Sequence, residues 1–363
     1  MTPKRGDDAE RAAVHVGSRF SRKDYWCILF YVSVAVATGF ADLRMRAYPK
    51  HPVTKFIPAV VANTEPAPAR YRVLAPYLDY QVARVTGVSP QTVWHITRLL
   101  WIFLAYCVIH VYLRTWFAPE AAVAGVLLTA ATLPLTFTNS WAHPDHLPEL
   151  ALFTLGALAI ARRSDLLFAA ALAVAALNRE TSVFLVLLYA VAGPVTRIRV
   201  VRAGIFGLEW FAIYGGLRLW RGFEHYQYWQ AGRNLTDLTI PLPAELYDPY
   251  YRGYAYFAVV LFGPMLYVAS RAYGYAPVFV RRALLVVPCV VAIAFMFSSI
   301  IETRIFTPLY ALILPGLMFG LFNHPPVNAL LTPRPGRLVN DEGVASRNDV
   351  VGDRDSMDLG EPR

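Results

Sequence analysis

Charge is what this sequence has least of. Asp, Glu, Lys and Arg make up 16% of its 363 residues, while 56% are hydrophobic. Soluble proteins run to about 25% charged and about 45–50% apolar, and a water-soluble fold has nowhere to put so much apolar side chain. Cysteine is scarce as well. Cys27, Cys107 and Cys289 all fall inside apolar runs, which leaves no disulfide framework and no CxxC metal site and makes them packing residues. The chain has no Walker A loop, no GxSxG elbow, no HExxH helix and no strand-rich stretch, so nucleotide-driven pumping and soluble hydrolase chemistry lose support.

What is present is a series of apolar runs. About 20 apolar residues cross the roughly 30 Å hydrocarbon layer as a helix, and shorter runs suffice inside a bundle. Candidate spans cover 25–41, 93–113, 120–138, 147–161, 165–177, 181–195, 203–219, 254–270, 283–300 and 305–322. The fold class expected is an all-α integral membrane bundle of about ten transmembrane helices. Aromatic residues reach 14%, with Trp and Tyr at many segment ends, as an interfacial belt requires. The fifth and sixth spans are short and meet at Asn178, Arg179 and Glu180. They read either as two spans or as one broken or re-entrant segment, and the second reading would invert every later span.

The net charge of +9 does not point to nucleic acid, because the basic residues sit in short groups between apolar runs rather than on one face. Membrane topology explains them better. With the N-terminus in the cytoplasm, Arg114, Arg162 with Arg163, Arg197 with Arg199 and Arg202, and Arg271 with Arg281 and Arg282 all fall inside, as the positive-inside rule demands. The expected organisation is a cytoplasmic segment 1–24, a transmembrane domain 25–322 and a disordered cytoplasmic tail 323–363. Both termini are then cytoplasmic and the location is the plasma membrane. Within loop 42–92, VLAPYLDYQVARV (73–85) puts its apolar residues largely on one face, the pattern of a helix lying in the outer interface.

This topology gathers polar residues at the outward ends: Asp42 after the first span, ARYR (69–72), NSWAHPDHLPE (139–149), NRET (178–181), the loop 220–253 and ETR (302–304). An ionisable group at membrane depth costs at least about 2.5–3.5 kcal/mol, so it generally has a partner or a function. Asp42 can act as a general base or hold a substrate hydroxyl, or simply cap a helix end. NRET and ETR each set an Arg beside a Glu (Arg179 with Glu180, Arg304 with Glu302). With Arg72, these offer guanidinium forks suited to phosphate oxygens, or interhelical pairs that lock the bundle. HPDH supplies His143, Asp145 and His146, a set able to face substrate, shuttle a proton or bind a divalent cation. It matches no standard zinc spacing, its prolines equally suit a rigid turn, and nothing in the sequence requires a metal or other cofactor. Glu209 and Arg218 read as a buried acid and a snorkelling base. In the aromatic loop 220–253, Asn234 opens an NLT sequon on the outward side.

An acid directly after the first span, a long first outer loop with an interfacial helix, and Arg motifs on later outward ends together resemble the GT-C superfamily of polytopic glycosyltransferases. The stretches YRVLAPYL, NRET and ETRIFTPLYALILP look like uncharacterised bacterial members of that group. The resemblance covers 25–322 and is one of layout. It implies transfer of a sugar from a polyprenyl-phosphate-linked donor to a glycan or lipid acceptor outside the membrane. In that scheme Asp42 is the base or acceptor-orienting residue, and Arg72, Arg179 and Arg304 hold the donor phosphate. The chain departs from the common pattern in being short, lacking a soluble outer domain and carrying one acid after the first span. A rival reading is a transporter or flippase for a lipid-linked or anionic solute, which internal inverted repeats would favour; no convincing repeat is visible.

Overall fold

The computed structural model describes residues 22–45, 53–137, 145–224, 229–239, 254–300 and 302–322. Every element among them is helical. Thirteen α-helices are described: α1 (Arg22–Met45), α2 (Val53–Val61), α3 (Leu74–Thr86), α4 (Pro90–Leu113), α5 (Pro119–Thr132), α6 (His146–Ala161), α7 (Asp165–Asn178), α8 (Val183–Val191), α9 (Arg197–Arg221), α10 (Ala231–Thr239), α11 (Tyr254–Arg271), α12 (Val278–Phe297) and α13 (Leu309–Phe322). Five stretches are long and apolar enough to cross a membrane: Arg22–Asp42, Pro90–Leu113, Pro119–Phe137, Arg197–Arg221 and Val278–Phe297. Five shorter apolar helices, in α6, α7, α8, α11 and α13, account for the remaining apolar runs.

The surface suits lipid. Ile205, Leu208, Phe211 and Leu219 on α9, and Leu29, Phe30, Val36 and Phe40 on α1, are all exposed, whereas soluble monomers rarely expose contiguous apolar patches beyond a few hundred Å². The interior is built around α6 and α13. Their apolar faces run all round the helix and are buried almost throughout, the pattern of a helix with no lipid or solvent side.

The chain direction follows from side-chain pairing. Asp24 at the start of α1 meets His110 and Arg114 at the end of α4, while Asp42 near the end of α1 meets Arg98 near the start of α4, so the two helices run antiparallel. The segment around NRET resolves in the same way. Asp165 at the start of α7 accepts a hydrogen bond from Tyr189 Oη at 2.8 Å, and Phe168 stacks near Tyr189. Helices α7 and α8 therefore form an antiparallel hairpin, with extended Arg179 (φ −155°) and a 3₁₀ turn Glu180–Ser182 at its tip. A single broken helix through both runs is excluded, and the hairpin fits either two short spans or a re-entrant pair.

The first long loop is more structured than its one expected helix. Besides α3, which matches that interfacial segment, α2 packs Phe56, Ile57 and Val60 against Ala69 and Trp94 in a small second core. Helix α3 ends on Gly87 in the left-handed region (φ 71°), whose N–H bonds Ala83 O; a side chain would be strained there. Its faces depart from the sequence reading in one respect. Leu78 and Val85 point outward, while Asp79 is turned into the protein.

Candidate functional site

At one end of the bundle, helix termini deliver charge into the interior. The tip of the α7–α8 hairpin is tied to the chain preceding α3 by a backbone hydrogen bond, Val73 N–H to Leu177 O at 3.0 Å, which sets Arg72 beside NRET. Helix α6 starts at the same place. Its first turn carries Asp145 and Glu149, acids that suit the positive end of a helix dipole, and Pro148 there removes one N–H that would otherwise be orphaned. Asn178 donates its Nδ2 to Asp145 O at 2.7 Å and fixes this start against α7.

These elements create a buried ion-pair network. Arg72 donates Nη1 to Asp145 Oδ2 at 3.0 Å and grips Glu180 with Nε (3.2 Å) and Nη2 (2.5 Å). Arg179 reaches Asp145 Oδ2 with Nε at 3.2 Å and pairs with Glu149, which also accepts from Thr181 Oγ1. Arg72, Asp145, Glu149 and Arg179 are all buried. Burial opposes the charge on Arg72, but Glu180 and Asp145 outweigh it and raise its pKa above the ordinary guanidinium value. Three acids face two guanidinium groups, so the network itself is not a ready anion site.

A second cluster adjoins it through the sequence neighbours Asp145 and His146. Arg98 donates Nε to Asp42 Oδ2 at 2.9 Å, its Nη2 forms an ion pair with the same oxygen at 2.8 Å, and Nη2 lies 3.4 Å from His146 Nε2. The guanidinium is sandwiched by aromatic rings, 4.8 Å from the centroid of Trp94 and 5.8 Å from that of Phe137. Such cation–π contacts strengthen when desolvated, and both Arg98 and Asp42 are buried. Asp42 and Arg98, with His95, form the polar lining of a pocket of about 150 Å³ whose other walls are Val36, Gly39, Phe40 and Leu99. Val36 and Phe40 are exposed on the outer face of α1, so the pocket faces the side of the bundle.

The remaining expected residues are placed as follows. Arg304 pairs with Glu302 through Nε (3.1 Å) and Nη2 (2.6 Å) in the 3₁₀ turn Thr303–Phe306. That turn packs against a second one, Leu133–Phe137, whose Phe137 touches both Arg98 and His146. Arg304 is thus a neighbour of the second cluster, and no contact described here links it to Arg72 or Arg179. His143 lies outside the described residues. Among those described, no group of three or more His, Cys, Asp or Glu is arranged to hold a metal ion. Arg218 lies over the Tyr71 and Tyr214 rings, and Glu209 is half-buried. Asn234 proves to be interior. It donates to Phe295 O and Ser298 O and accepts from Ile300 N–H, so its sequon is a structural lock with no room for a glycan.

Three charged residues that the sequence reading passed over matter here. Arg98 interrupts the apolar run 93–113, and an ionisable residue inside a span is itself the signal that marks it. Glu149 is hidden by the conspicuous HPDH before it. Asp79 lies in an otherwise ordinary amphipathic pattern; it is 1% exposed, and neither carboxylate oxygen has a hydrogen-bond partner among the described residues. Burial pushes its pKa up to about 6 against the opposing pull of Thr97 and Arg98.

No family model, no curated protein and no solved structure matches this chain.

Proposed function

We propose that the chain is a membrane glycosyltransferase, of about ten transmembrane helices in a GT-C-like arrangement, that moves a sugar from a polyprenyl-phosphate-linked donor to an extracytoplasmic acceptor. The observation that carries this reading is the position of Asp42: a carboxylate at a helix end, held by a buried arginine, on the polar floor of a pocket that faces the lipid side of the bundle. Arg22, Lys23, Arg162, Arg163, Arg197, Arg202 and Arg271 are exposed at the opposite end and outnumber the exposed Lys55, Arg84 and Arg233 on α2, α3 and α10. By the positive-inside rule that end is cytoplasmic and the Asp42 end faces outward.

The chemistry asks little of the protein. The acceptor hydroxyl oxygen attacks the anomeric carbon, the bond from that carbon to the phosphate oxygen breaks with its electron pair leaving on phosphate, and the hydroxyl proton passes to Asp42. Phosphate is already a good leaving group, so the protein mainly orients the acceptor, accepts one proton and offsets phosphate charge. Arg98 keeps the Asp42 carboxylate in place through a hydrogen bond from Nε and an ion pair from Nη2 to the same oxygen. The Arg72–Asp145–Arg179–Glu149 network behind it holds the ends of three helices rigid, as a site needs when placement within about 0.5 Å matters.

Tight packing beneath the pocket supports a transferase over a transporter. Tyr31, Ala35, Ile102, Ala105 and Tyr106 are all buried between α1 and α4, and Thr38 Oγ1 lies 2.7 Å from Tyr106 Oη, so the floor is closed by side chains. The test is transfer of labelled sugar from a panel of polyprenyl-phosphate donors to membrane acceptors by the purified protein in lipid. Turnover that Asp42→Asn abolishes, with the folded fraction unchanged, is the expected result. A wild type that binds those lipids yet transfers nothing across the panel would move the assignment to a lipid carrier or flippase.

A further inference from the structure

We infer that the face of α9 around Glu209 docks a transmembrane helix of another protein, one that carries a lysine or arginine at mid-membrane depth. The inference needs only that α9 spans the bilayer and does not depend on the transferase reading. Glu209 is the middle residue of the 25 in α9, about 18 Å from either end at about 1.5 Å per residue, too deep for a glutamate to reach water. The helix is also the least buried of the five long apolar stretches, at 17% against 28% to 50% for the others. Glu209 is only half-buried, and its carboxyl has no hydrogen bond or ion pair among the described residues. An ionisable group at that depth is costly and is generally paired. This chain pairs the buried acids of α1 and of the start of α6 with arginines of its own: Asp24 with Arg114, Asp42 with Arg98, and Asp145 and Glu149 with Arg179. For Glu209 the same chemistry has to come from outside.

The surrounding surface suits a helix. Ile205, Ala212 and Gly216 stand at i−4, i+3 and i+7 from Glu209, on its face of α9, and all three are exposed. A Cβ on Gly216 would meet nothing within 4 Å, so packing inside this chain does not call for glycine there, although glycine weakens a helix interior relative to alanine. Small residues four apart, as Ala212 and Gly216 are, let a second helix approach closely in lipid, near enough for a base on it to reach Glu209. The other side of α9 is taken: Phe206 packs against Phe168 and Tyr189, and Trp210 Nε1 donates to Ser182 Oγ at 2.9 Å. A second copy of the chain is a poorer match. Two copies share one orientation in the membrane, so a two-fold contact on this face sets Glu209 against its own equivalent at the same depth, two acids without a base, and the exposed bases among the described residues lie near helix ends.

A model partner tests this: a Leu/Ala peptide helix of about 20 residues with one central Lys, compared with otherwise identical peptides bearing a central Leu or Glu. Energy transfer from the dye-labelled full chain to each labelled peptide in phosphatidylcholine vesicles reads association, and transfer between two labelled copies of the chain reads self-association. The Lys peptide is expected to bind wild type about tenfold more tightly than the Leu peptide, the scale of one interhelical polar contact. Glu209→Leu removes no contact within the chain, so it should fold and bind the two peptides equally. Gly216→Leu keeps the acid but fills the surface beside it, and should weaken binding of the Lys peptide several-fold. Equal binding of the Lys and Leu peptides to wild type, a preference for Lys that survives in Glu209→Leu, or undiminished binding to folded Gly216→Leu would overturn the inference. So would tighter binding of the Glu peptide than of the Lys peptide, or self-association of the wild type that Glu209→Leu abolishes, which would give the face to a second copy.

Discussion

The two ends of the bundle use charge in different ways. At the Asp42 end, ion pairs are buried: the side chains of Arg98 and Asp42 are 4% and 3% exposed, and those of Arg179 and Glu149 are 3% and 4%. At the opposite end, Arg202 with Asp165 stands at 53% and 37%, and Arg163, Arg197 and Arg271 are exposed. Exposed arginines at helix ends cost little and set orientation in the membrane. Buried pairs carry a desolvation penalty that can exceed their attraction, so a protein that assembles several at one end is using them to place groups. One buried pair breaks the symmetry of this contrast. Asp24 Oδ1 lies 3.0 Å from His110 Nε2 and accepts from Arg114 Nε at 2.9 Å, with Tyr31 Oη 2.8 Å from His110 Nδ1. It lies under no pocket described here, and we read it as the clasp that joins the starting end of α1 to α4.

The contrast can be broken experimentally. The largest effect should come from Arg179→Ala, which strands Glu149 and Asp145; removing one partner of a buried pair costs about 3–5 kcal/mol, to be read as a loss of thermal stability in detergent. A stability loss below about 1 kcal/mol would mean that the network is hydrated rather than buried.

Asp79 gives a pH signature of nearly the same size. Its folded pKa of about 6 lies above the ordinary Asp value. The folded state therefore holds the proton more tightly, and stability should fall as pH rises from about 4 to 6, by about 3 kcal/mol in total. Asp79→Asn should flatten that slope and leave the protein more stable than wild type at neutral pH. Melting temperatures of the two proteins across this range check it, and parallel curves would show that Asp79 does not carry the shift. Next is Asn234→Ala, which forfeits the hydrogen bonds to Phe295, Ser298 and Ile300 and should cost about 1–3 kcal/mol; mass analysis of protein expressed in a glycosylating host should show no glycan at this position. The smallest effect belongs to Arg202→Ala at the opposite end, within about 1 kcal/mol as for other exposed pairs.

Much of the architecture was legible because apolar runs declare themselves. Each of the ten runs contains a helix, and α3 lies where the amphipathic pattern of 73–85 placed it. What periodicity cannot show is which helix ends meet. The hairpin at Asn178–Glu180 required the contact between Tyr189 and Asp165, a tertiary fact with no local mark. Arg72, Asp145, Arg179 and Glu180 stood out as charges at outward ends and do come together, but their mutual neutralisation depends on Glu149, one turn into α6. Arg98 stood in the sequence as a lone charge in an apolar run, and its importance emerges only when α1 brings Asp42 to it. The sequon at Asn234 carries no such information: it is a three-residue pattern, and burial is decided by α12, about sixty residues away.

The most direct measurement compares turnover per folded molecule for Asp42→Asn and Asp24→Asn, two conservative changes at opposite ends of α1, in the labelled-sugar transfer assay. The account predicts that Asp42→Asn abolishes transfer while Asp24→Asn lowers the yield of folded protein and leaves transfer per folded molecule near wild type. Retained transfer in Asp42→Asn, or loss of transfer in fully folded Asp24→Asn, would contradict it.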